Sequence, residues 1–254
     1  MRVAFILITF LACSTLWGKT NFDLSLGAQG RSAPSIGAEV YAESGYNLVW
    51  WGEKKSKRDV LYGLIRPSLA LSSSGVINSG KAEIEFFPIS FLGFAAGRQF
   101  IHSNYEFPFF NCDEIVCKGM YERNFVEAKM ALGAKGWVAV AHYKVDVLEA
   151  PRDNQQMADW RNIILGNPGR EVQIEKKLIL AKAFGNELVG VMIENVQFQG
   201  SRERKESFAG IYQMRHRDTN YMIGLGAYHT SQEPMGAIIY FRINHISIPS
   251  LKLF

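Results

Sequence analysis

The chain reads as an all-β protein, a closed antiparallel sheet of about twelve strands. Three observations lead there. Apolar and polar residues alternate with period two in about twelve separate segments. The polar side of those segments is crowded with charge, and clusters of Gly, Pro, Asn, Asp and Ser fall between them as turns. Hydrophobic residues make up 48% of the chain, aromatics 13%, and there are 23 glycines. All are dispersed, as alternation demands. A net charge of only +4 gives no electrostatic case for nucleic acid.

The first segment stands apart. Arg2 precedes a nearly continuous apolar run over residues 3–12, followed by small and polar residues up to Gly18. This is the pattern of a secretory signal peptide, too short for a bilayer-spanning helix, which needs about 20 residues. Residues 1–18 are therefore expected to be the leader and 19–254 one barrel domain, with lipoprotein processing at Cys13 as the alternative.

The strands follow in order. In residues 21–29, Phe22, Leu24 and Leu26 oppose Asp23, Ser25 and Gln29; in 36–50, Val40 and Ala42 oppose Glu39 and Glu43. Residues 52–59 form a charged connection, and Leu61, Ile65 and Leu69 then oppose Tyr62, Arg66 and Ser68. Residues 81–86 give the cleanest alternation, Ala82, Ile84 and Phe86 against Lys81, Glu83 and Glu85. The facing of residues 91–101 is not set by pattern, and Arg98 is assigned with the polar side. Residues 121–132 carry Glu127 and Lys129. In 137–147, Tyr143 and Val145 oppose His142, Lys144 and Asp146. Residues 172–182, with Glu175 and Lys177, pair with 188–199 about a turn at 184–187. Strands at 207–215 and 221–229 lead to the last, where Ala237, Ile239, Phe241 and Ile243 oppose Ile238, Tyr240, Arg242 and Asn244. The third connection, at 72–75, can be cut differently, which would leave ten strands.

Leader, hairpin rhythm and the terminal Phe254 together resemble a bacterial outer-membrane β-barrel protein, without pointing to one family within that class. The resemblance implies a transmembrane barrel in the bacterial outer membrane with lipid around it. It also implies engagement of the barrel-assembly machinery through the strand that ends in Phe254. The charge count agrees. A soluble twelve-stranded barrel would have to fill a wide interior with apolar side chains, whereas a bilayer takes them on its outside and leaves the charges to a wet lumen. Lys81, Glu83, Glu85, Glu127, Lys129, His142, Lys144 and Asp146 are expected to face that lumen. With both termini periplasmic, the two longest connections, 103–119 and 149–169, fall on the extracellular side.

Cys112 and Cys117 remain once the leader is gone, and in an oxidising compartment they are expected to form a local disulfide; a zinc half-site is the other reading. No metal-site motif and no cofactor-binding motif is present. The expected function is a pore or binding channel for small polar solutes. The alternatives are a lipid-modifying enzyme or a plugged structural or adhesive barrel. Outer-membrane phospholipases require His-x-Ser followed by Asn-Gly; His245-Ile-Ser247 has the spacing but continues Ile-Pro. His102 and Ser103 are adjacent and so point to opposite faces. The solute and the oligomeric state are not legible.

Overall fold

In a computed structural model, residues 21–32, 37–52, 61–106, 111–150, 155–159, 162, 164–231 and 235–248 are described. The leader, Cys13 and Phe254 lie outside them. The elements are β1 (Phe22–Arg31), β2 (Gly37–Tyr46), β3 (Leu48–Trp51), β4 (Gly63–Ser73), β5 (Ile77–Ile89), β6 (Leu92–Ser103), β7 (Gly119–Ala134), β8 (Trp137–Glu149), β9 (Met157–Asp159), β10 (Ile164–Gly166), β11 (Arg170–Phe184), β12 (Glu187–Phe198), β13 (Arg204–His216), β14 (Thr219–Thr230) and β15 (Gly236–Ile248).

Thirteen of these strands form one antiparallel sheet, with β9 and β10 a separate hairpin. β2 and β3 both pair with β4 and are halves of one stave broken at Asn47, which leaves twelve staves. The sheet closes on itself because β1 pairs with both β2 and β15 while β2 also pairs with β4. The expected all-β closed barrel of twelve strands is what the chain forms.

Both faces follow the alternation. Val40, Leu69, Leu71, Ile84 and Leu225 are about 60% exposed on the outside, while Glu83, Glu85 and Asp146 lie buried within. The end that carries the first and last described residues has two-residue turns at 90–91, 135–136, 185–186 and 217–218. One of them, Lys135-Gly136, has positive φ at both positions, as a tight hairpin requires. The opposite end carries the longer loops, including 104–118 and 150–169.

Those two loops pack together over one side of that end. Val116 and Gln156 are joined by a backbone hydrogen bond of 3.0 Å, and Ile115, Val116, Met157 and Ile164 form an apolar cluster with Tyr121, Leu148 and Phe198 of the wall. The Cys112–Cys117 disulfide is present in the first loop. The Glu171 carboxylate fastens the second, accepting hydrogen bonds from the backbone N–H groups of Asn167, Val172, Gly200 and Ser201 at 2.8–3.2 Å. The hairpin of β9 and β10 lies where the sequence predicts only a connection. Three-residue strands are too short to show a period.

Glycines make room for large inward side chains. A Cβ on Gly224 would lie 2.1 Å from the Tyr240 ring, and one on Gly27 2.4 Å from Tyr41. The Gly224→Val variant is expected to lose about 1–3 kcal/mol by overpacking, read as a lower urea midpoint for the loss of the compact band on unheated gels. Adding Tyr240→Ala should recover much of that loss.

Candidate functional site

The interior divides into a packed, charged wall and a half-open polar strip. The wall begins at Arg66 on β4, whose side chain is 1% exposed. Its guanidinium donates to Asp23 through Nε at 2.8 Å and NH2 at 2.5 Å, and NH1 reaches Glu85 at 2.5 Å and Glu43 at 2.9 Å. Asn47 at the β2–β3 break also donates to Asp23, at 2.5 Å. One buried cation thus holds carboxylates from β1, β2 and β5, a geometry suited to the planar guanidinium fork.

From Glu85 the contacts between charged and polar groups continue around the barrel. Lys129 lies 3.4 Å from Glu85 and 2.6 Å from Glu127, and His142 lies 3.1 Å from Glu127 and 3.7 Å from Glu175. Lys177 bridges Glu175 and Glu194 at 3.1 Å each, and Lys205 reaches Glu194 at 2.9 Å. Lys205 also donates to Asn162 of the second long loop at 2.9 Å, and Asp159 there accepts from Asn162 and Gln173. The chain of contacts therefore ties the barrel wall to the loops above it.

A branch lies between β5 and β8. Lys81 pairs with Glu83 at 2.8 Å and Lys144 with Asp146 at 2.7 Å, and both ammonium groups sit over the Phe125 ring, at 5.9 and 4.8 Å. Lys81, Glu83, Glu85, Glu127, Lys129, His142, Lys144 and Asp146 are thus all on the inner face, and each has an ionic partner. Glu85 is 1% exposed and Asp146 is fully buried, so they are packed members of a wall and not groups standing in solvent.

The other strip runs along β15, β1 and β2. Arg242 on β15 is inward in phase yet exposed, and its Nε donates to the Tyr41 hydroxyl at 3.1 Å with the guanidinium over the Tyr41 ring. Gln29, opposite Arg242 in register, donates to Glu39 and is half-buried, as are Glu39 and Tyr41. Asn244 lies toward the end that carries the termini. Tyr41, Gln29, Glu39 and Asn244 were not singled out as site residues from sequence. Their phase was readable, but their exposure depends on what crosses the lumen.

One assignment is corrected. Arg98 faces outward, exposed, and pairs with Glu122. β6 turns Gly93, Ala95 and Gly97 inward, and the missing Cβ atoms of Gly93 and Gly97 make room for Phe87 and Phe125. The polar phase of this strand is therefore reversed. The hydrolase geometry is not assembled either, since His245 is exposed and contacts Thr219, while His102 is exposed and Ser103 buried. Oxygens of Glu43, Glu83 and Glu85 lie within 4.8 Å of one another, but Arg66 and Lys81 already supply cations there.

No protein-family model matches the chain, and no curated protein matches it. Among solved structures it is similar to an outer membrane channel from Pseudomonas putida F1, with 9% identity and a TM-score of 0.49 over 91% of this chain and 97% of that one. It is also similar to a loop-deletion mutant of OmpT, an outer membrane protein of Vibrio cholerae, with 6% identity, a TM-score of 0.41 and coverage of 90% and 99%. The β domain of the Bordetella autotransporter BrkA gives 8% identity, a TM-score of 0.41 and coverage of 90% and 99%. These are bacterial outer-membrane β-barrels. Identities and TM-scores this low carry no functional argument.

The Arg66→Met variant is expected to lose about 3–5 kcal/mol, because it leaves Asp23, Glu43 and Glu85 buried without their common cation. Arg66→Lys should fall between it and the parent, since one ammonium cannot reproduce the fork. Urea titration followed by tryptophan fluorescence would measure both.

Proposed function

We propose that the protein is a bacterial outer-membrane β-barrel that passes or binds small polar solutes along the strip of β15, β1 and β2. The observation that supports the membrane reading is the inverted distribution of residues. Large apolar side chains cover the outside, and the ionic groups are gathered within. In water each exposed Leu or Ile would cost about 1.5–3 kcal/mol relative to burial. In a bilayer the same surface is favourable, and closure leaves no unpaired backbone against hydrocarbon.

The contrast between Arg242 and the packed wall supports the passage. Arg66, Glu85, Asp146 and Lys205 are buried with their polar partners, whereas Arg242 is open to solvent at the side of Tyr41. A side-chain-lined constriction selects by charge, so an exposed Arg with Glu39 two strands away in the same register would set the preference. The packed wall keeps the barrel round and narrows the lumen to one side. The apolar cluster of the two long loops supports a second reading, a plugged barrel with a structural role.

Conductance of the refolded protein in a planar bilayer separates the two. The passage predicts steps in the parent protein, and a reversal potential in a salt gradient that moves toward cation preference in Arg242→Glu. It also predicts no such shift for Glu206→Lys on the outer face. Absence of conductance would favour the plug. As a test of the bilayer itself, Ile84→Lys on the outer face should cost about 2–4 kcal/mol and impair insertion.

A further inference from the structure

Toward the loop end of the polar strip, side chains from five neighbouring strands form one row of hydrogen bonds. Gln29 of β1 and Ser72 of β4 both donate to the Glu39 carboxylate of β2, Ser72 at 3.4 Å. Ser72 and Ser79 of β5 lie 3.0 Å apart, and the Gln99 amide of β6 donates to Ser79 at 3.1 Å. Ser72 has a single proton and gives it to Glu39, so Ser79 donates to Ser72. The row therefore has one sense, from Gln99 to the carboxylate. All five side chains face inward and are half-buried, so the row is still reached from the lumen. At about 4.8 Å between strands it covers about 19 Å of the inner wall.

Four of these five groups are uncharged amides and hydroxyls, each able to donate and to accept. The one carboxylate already accepts from two of them. Arg242, in register with Gln29, is engaged by the hydroxyl and ring of Tyr41. A solute anion drawn to Arg242 meets Glu39 beyond it, and a cation drawn to Glu39 meets Arg242. A zwitterion suits both only by displacing Gln29 and Ser72 from the carboxylate. Apolar solutes find no surface here either. The inward residues from Ser25 to Gln29 and from Glu39 to Glu43 include no aliphatic side chain, unlike the inward Val196 and Ile211 of β12 and β13. What fits is a neutral solute whose groups both donate and accept, because each hydrogen bond it gives up to water is replaced in kind.

We propose that the row from Gln29 to Gln99 is a binding site for uncharged, hydroxyl-rich solutes, the sugar and polyol class. The inference rests on the reading of the strip as a passage and names the solute class for it. Small ions pass beside Arg242, while the row sorts larger solutes by the hydrogen bonds they can exchange.

The test is interruption of the ion current of the refolded protein in a planar bilayer by three solutes. These are the neutral disaccharide maltose, its sugar acid maltobionate, and the zwitterion tetraglycine. In the parent, maltose is expected to halve the current at a concentration about tenfold below that needed of either charged solute. Ser72→Ala and Gln99→Ala should each raise that concentration for maltose about fivefold, and Glu206→Gln on the outer face should leave it unchanged. Unheated gels report whether each variant is folded, and the comparison of solutes in the parent needs no variant. A parent current that maltose leaves untouched, or that either charged solute interrupts as well, would overturn the solute class and leave the passage standing. Interruption by maltose that neither folded alanine variant weakens would overturn the row as its site. Absence of any current in the parent would overturn the passage, and the solute class with it.

Discussion

The pairing of β1 with β15 is the constraint on which the rest depends. It joins the two ends of the sheet, running from Leu24 opposite Ile248 to Arg31 opposite Tyr240. Once it forms, every stave of the barrel has two neighbours and the sheet has no open edge of unpaired N–H and C=O groups. Closure also fixes two unlike surfaces on every strand, an outer one and an enclosed one. A slip of one residue would exchange them. The alternation in the sequence is the mark of that requirement, which is why twelve staves can be counted from the residues alone.

Strand existence was legible wherever the two faces differ in chemistry. Lys81 to Phe86 showed its phase because carboxylates alternate with Ile84 and Phe86. β6 did not, since three of its inward positions are the small residues Gly93, Ala95 and Gly97, and the two glycines admit the rings of Phe87 and Phe125. A pattern of small residues inside and Phe94 and Phe100 outside offers no polar contrast, and Arg98 was drawn to the wrong side. The Asn47 break, too, was invisible, because Asn47 serves Asp23 and the Asn21 carbonyl across the strand rather than along it.

The lumen was legible by face but not by depth. Phase puts Asp146 and Arg242 equally inside. What separates them is how side chains from distant strands meet across the interior, and that is a tertiary fact. Lys144 and Lys81 converge on Phe125 from opposite sides, and Arg66 gathers carboxylates from three strands. The charged wall is thus a consequence of neighbours that no single segment specifies. Buried ion pairs of this kind add little net stability over an apolar core. Their value here is geometric, because a set of charges with fixed partners admits few alternative packings.

The hydrogen bond from Arg242 to Tyr41 has a consequence for timing. It links β15 to β2 across β1, so it spans the seam at which the first and last strands meet. Until that seam is zipped, the strip with Gln29, Glu39 and Tyr41 has no opposite bank. The strip is therefore not a gap left in a finished wall but a product of the pairing that closes the sheet. A barrel caught half-built would expose strand edges and leave the strip with one bank only, so closing the sheet and completing the strip are a single event.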